Sequence, residues 1–136
     1  MRFLIIVKAS TESEAGAMPG ERLLAQMAGY HEELARAGAL LDGAGLAPSS
    51  AGWRIRYNDV GRTVIEGPFN ETHTLVAGYT LIQARTRNEA LEWAKRFPNP
   101  RGEGLLAEIE VRPLQELDEF PPSESIERFR KLSVGS

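Results

Sequence analysis

Glu66-Gly67-Pro68-Phe69-Asn70-Glu71-Thr72-His73 runs, after Thr74, into Leu75-Val76-Ala77-Gly78-Tyr79-Thr80-Leu81-Ile82. The reading of these two stretches decides the fold. Gly67 and Pro68 make the first a rigid polar turn. The second is apolar at odd and even positions alike, which marks a strand covered on both faces and hence a central one. A loop carrying Glu66, Glu71 and His73 is thereby fixed to a central strand, a common setting for a site.

Upstream of the turn, Trp53, Ile55 and Tyr57 alternate with Arg54 and Arg56, giving a half-buried strand with a basic outer face. Asn58-Asp59-Val60-Gly61 is turn chemistry, and Thr63-Val64-Ile65 returns to close a hairpin. Further out, Ala39 to Leu46 reads as a strand weakened by Gly43 and Gly45, which can mark a bulge. Phe3 to Val7 is the other run that is apolar on both faces, so it too is expected at the centre. Ile109, Val111 and Pro113 alternate with Glu108, Glu110 and Arg112, as suits an edge strand. Ala9 to Gly16 reads as a loop.

Two helices join these strands. Leu23, Met27, Tyr30 and Leu34 form one stripe at helical spacing, ended by Gly38, with Pro19 in the first turn and His31 half-buried on the stripe's shoulder. Thr86 as N-cap with Glu89 three residues on predicts a capping box. Ala90, Leu91, Trp93, Ala94 and Phe97 supply the buried side, and Pro98 ends the helix.

The resulting order is that of an α+β protein, a ferredoxin-like βαβ-βαβ antiparallel sheet with an inserted hairpin. Two helices cover only one face of such a sheet, yet two of its strands are apolar on both. A second copy is the simplest cover, so a homodimer with face-to-face sheets, a dimeric α+β barrel, is expected. One domain spans 1–120. The tail 121–136 holds a short helix capped by Ser123, with Ile126, Phe129 and Leu132 on one side.

With 136 residues the chain has length enough for a core without staples. A net charge of -3 argues against nonspecific nucleic-acid binding. The absence of Cys removes disulfides, thiolate metal sites and a cysteine nucleophile, and fits the cytoplasm. Leu4 to Val7 is too short for a signal-peptide core or a membrane span. No dinucleotide, phosphate-loop or nucleophile-elbow pattern is present, and two histidines with scattered acids lack the usual metal-ligand spacing. No cofactor and no metal are expected.

Glu33-Leu34-Ala35-Arg36-Ala37-Gly38, Leu40-Leu41-Asp42-Gly43, Gly45-Leu46 and Pro48-Ser49 resemble the first half of the YCII-related proteins, in the branch named for its DGPF motif. Glu66-Gly67-Pro68-Phe69-Asn70-Glu71-Thr72, Ala77-Gly78-Tyr79, Ala90-Leu91-Glu92-Trp93, Pro98-Asn99-Pro100 and Ile109-Glu110-Val111-Arg112-Pro113-Leu114 resemble the second half. The resemblance implies a dimeric ferredoxin-like barrel and a family mostly without an assigned reaction, in which a His and Asp pair is suggested as catalytic for some members. This chain departs from the pattern twice: Glu66 stands where the motif has Asp, and His73 where Lys is usual.

Residue type and reach select the candidates. His73 is a general base with Glu71 or Glu66 as orienting partner, or else a solvated loop histidine. His31 facing Asp42 is a proton-transfer pair, or else a helix-edge histidine bonded to a carbonyl. Arg54 and Arg56, joined by Arg62, hold a carboxylate or phosphate, or else form a solvated face. Trp53, Tyr57, Phe69 and Tyr79 line a ligand pocket, or else pack the core. The expected activity is acid–base chemistry on a small organic acid beside the Glu66–His73 loop. The alternative is a noncatalytic accessory domain acting through its dimer and acidic tail.

Overall fold

The computed structural model describes residues 1–132. Four strands form one antiparallel sheet: β1 (Arg2–Lys8), β2 (Leu40–Gly45), β5 (Val76–Gln83) and β6 (Ile109–Pro113), in the order β2-β5-β1-β6. The two doubly apolar runs occupy its centre and β6 an edge. This is the ferredoxin-like arrangement. Strands β3 (Trp53–Asn58) and β4 (Gly61–Glu66) pair only with each other, so the inserted hairpin stands apart from the main sheet.

Helices α2 (Glu21–Arg36) and α3 (Arg87–Lys95) cover one face. The core between helices and sheet is Phe3, Ile5, Tyr30, Leu34, Ala39, Ile82, Ala84 and Ala90, with Trp93, Phe97, Ile109 and Val111 packed against it. Ile5, Leu34 and Ile82 are fully buried, each contributing about 1.5–3 kcal/mol by leaving water. Gly38, at φ 71, lets the chain leave α2 where a side chain would be strained. Pro19 lies just outside α2, ahead of the N-cap Gly20.

Thr86 caps α3 by accepting from the Glu89 backbone N–H, but the box is open: the Glu89 carboxylate takes Arg85 instead. The stretch read as a loop holds a four-residue helix, α1 (Thr11–Glu14). Ser10 and Ser13 close a reciprocal box there, each hydroxyl accepting from the other's backbone N–H. The last helix, α4 (Glu124–Lys131), is capped by Ser123 and tied back through Arg130 to Asp118.

Among the described residues no helix packs on the second face of the sheet. Register places Leu4 beside Leu81, and Ile6 beside Tyr79, on this face, all only half-buried. Glu110, bridged to Lys8 and Arg112, edges it. The chain exposes 9728 Å². A compact monomer of 15.0 kDa exposes about 7,000 Å².

Candidate functional site

The loop after β4 is built around Gly67. A side chain there would put its Cβ 1.9 Å from the Ser49 carbonyl oxygen, so only glycine fits. The Gly67 N–H donates to the Gly52 carbonyl. Ser49 does the rest: its hydroxyl accepts from the Phe69 N–H at 3.0 Å and donates to the Glu14 carboxylate, which also takes the Ser49 N–H at 2.9 Å. Arg54 covers the Phe69 ring, 3.8 Å from its centroid, and reaches Glu71 at 4.0 Å. The Gly-Pro-Phe segment is thus a scaffold that locks three loops together.

The turn Thr72–Thr74 follows, closed by the Thr74 N–H and hydroxyl, which both donate to the Glu71 carbonyl. The Leu75 carbonyl accepts from the Ala9 N–H, which sets this turn against the end of β1. His73 consequently lines an open cleft of about 420 Å³ with Lys8, Ser10, Thr11, Arg101 and Glu108.

Arg101 is the most firmly held of these. Its N–H donates to the Asn99 side chain, one guanidinium nitrogen to the Leu106 carbonyl, and another to Glu12 Oε1 at 2.8 Å. Its Nε is buried and has no hydrogen-bond partner among the described residues. Glu12 is held down to about 2 by its own backbone N–H, then by Arg101 and the Ser10 hydroxyl. Lys8 Nζ sits 3.2 Å from Glu110, whose carboxyl is lowered chiefly by that bond and then by Arg112. Each cation thus has an acid of its own. His73 is exposed, and its ring makes no hydrogen bond among the described residues.

His31 and Asp42 are not brought together. His31 lies under the helix-covered face, bonded to the Met27 carbonyl and Thr80. Asp42 lies on the opposite face and accepts from the Tyr79 hydroxyl at 2.9 Å, which raises the phenol. The cause is a bulge in β2. Leu40 pairs with Ile82, but Asp42 pairs with Leu81, so the extra residue turns Asp42 over and Gly43 faces Thr80 instead.

The remaining candidates are scattered. Glu66 ends β4, paired across the hairpin with Trp53, and does not line the cleft. Trp53 and Tyr57 are exposed on the hairpin, Phe69 lies under Arg54, and Tyr79 belongs to the uncovered sheet face, so the aromatics form no common pocket. Arg56 is exposed and has no ion pair among the described residues. A larger groove of about 550 Å³ lies between α2 and the segment after α3; the Glu33–Arg96 ion pair lines it, and no candidate does.

Sequence reasoning missed Lys8, Ser10, Thr11 and Arg101. Ser10 and Ser13 at capping-box spacing were the available signal, but Ser takes the place of the usual Glu or Gln. Among the described residues no cluster of three metal-ligating side chains occurs, and no helix is long and apolar enough to cross a membrane.

An antiparallel four-stranded sheet in this order, with two helices on one face, defines a ferredoxin-like α+β domain with an open cleft at one end of the sheet. Residues 1–115 match the YCII-related domain, and the chain belongs to that family. It is also similar to an uncharacterized protein of Rhizobium meliloti (strain 1021), 31% identical over 94 residues, which is 69% of this chain and 74% of the relative.

Proposed function

We propose that this chain binds a small organic acid in the cleft beside His73, with the acid's carboxylate at Arg101 and Lys8 and His73 exchanging a proton with the bound molecule. The supporting observation is the convergence of Lys8, Arg101 and His73 on one cleft of about 420 Å³. That volume suits a small ligand, and a guanidinium beside an ammonium favours a carboxylate. The His73 imidazole is a side chain of the cleft able both to accept and to donate a proton. Membership of the DGPF branch belongs to the same reading, carried by Gly67-Pro68-Phe69, as does a cytoplasmic setting for a chain without Cys.

The working unit is a homodimer. The sheet face with Leu4, Ile6, Tyr79 and Leu81, which carries no helix among the described residues, supports it. A second reading, a noncatalytic accessory module acting through its dimer and acidic tail, is favoured by His73 having no carboxylate partner.

Calorimetric titration with short mono- and dicarboxylic acids tests the proposal. Arg101→Gln is expected to weaken binding by about ten-fold or more, equivalent to about 1.4 kcal/mol. His73→Asn is expected to keep binding and lose turnover. Binding unchanged in Arg101→Gln rejects the cleft. Turnover unchanged in His73→Asn rejects the proton transfer.

A further inference from the structure

The β3–β4 hairpin has a face that the other described residues leave exposed. Register puts Trp53 opposite Glu66, Ile55 opposite Val64 and Tyr57 opposite Arg62, all six on that face. Trp53 is 63% exposed, Val64 60% and Tyr57 69%. A two-stranded ribbon by itself is marginally stable in water, so an apolar face of this kind needs a cover.

The charges on this face are ordered. Arg62 stands toward the tip, stacked over the Tyr57 ring at 4.9 Å; Ile55 and Val64 form the middle rung; Glu66 stands at the base. Neither Arg62 nor Glu66 makes an ion pair among the described residues.

We propose that the hairpin packs on the same hairpin of a second copy, the two ribbons antiparallel about a two-fold axis at the Ile55–Val64 rung. A two-fold axis reverses one ribbon against the other. The order of basic end, apolar middle and acidic end then becomes its own complement: Arg62 of each copy lies over the Glu66 end of the other. That self-complementarity selects a second copy over an unrelated partner. The contact is separate from the sheet-face pairing proposed above and stands or falls independently of it.

The absence of native Cys makes the test direct. Val64→Cys places a single thiol at the axis, and Val60→Cys places one on the turn, where Val60 is 94% exposed, as control. A short bis-maleimide is expected to link Val64→Cys into covalent dimers at least about ten-fold faster than Val60→Cys at equal concentration. Adding Arg62→Glu to Val64→Cys should slow the linking, and adding Glu66→Arg as well should restore it. Equal rates for the two single-Cys chains, or no rescue by the charge exchange, overturn the hairpin contact even if the chain sediments as a dimer.

Discussion

His31 holds its Nε2 2.8 Å from Thr80 Oγ1 while its Nδ1 lies 2.7 Å from the Met27 carbonyl oxygen. A carbonyl only accepts, so Nδ1 carries the proton, and in the neutral ring Nε2 accepts from the Thr80 hydroxyl. Thr80 is 2% exposed. The ring therefore fastens α2 to a central strand, and its place is structural.

Thr80→Val removes the hydroxyl and keeps the shape, leaving Nε2 without a donor. The expected loss is about 1–3 kcal/mol. In urea this should appear as a lower midpoint with unchanged slope. An unchanged midpoint would show that the hydrogen bond contributes nothing net.

Gly67→Ala meets backbone, not a flexible side chain, since the obstructing atom is the Ser49 carbonyl oxygen. The loop must move, and with it the bonds Ser49 makes to Phe69 and Glu14. A destabilisation of about 1–3 kcal/mol is expected. Amide exchange should quicken at Phe69 and Ser49 while the middle of β5 stays protected.

Acid should weaken the fold in a defined window. Glu12, lowered from 4.5 to about 2, and Glu110, also lowered, are both more acidic folded than unfolded. Their ionised forms contribute stability above pH 4.5, and that contribution is lost as pH falls toward 2. The urea midpoint should therefore decline over this range, and Glu12→Gln should flatten the decline. Glu12 is exposed and Glu110 partly so, so added salt should shrink the effect.

The topology was legible because apolarity on both faces singles out β1 and β5 as central, while alternation in β6 marks an edge. The caps Thr86 and Ser123 and the stop at Gly38 were legible because each residue acts within one turn of itself. The candidate site was not, because it depends on register and on distant loops. One extra residue at Leu41 reverses Asp42 and dissolves its expected pairing with His31. Arg101 reaches the cleft through Asn99, Leu106 and Glu12, contacts that no local pattern announces. His73 alone among the chosen residues lines that cleft, because its turn is tied to the end of β1.

Pairing of two chains through the uncovered sheet face is the central claim about the assembly, and sedimentation equilibrium tests it most directly. The account predicts at least twice the chain mass of 15.0 kDa at micromolar concentration, and a lower mass when Leu4 and Leu81 on that face are both replaced by Lys. A wild-type chain that sediments at 15.0 kDa under the same conditions would contradict it.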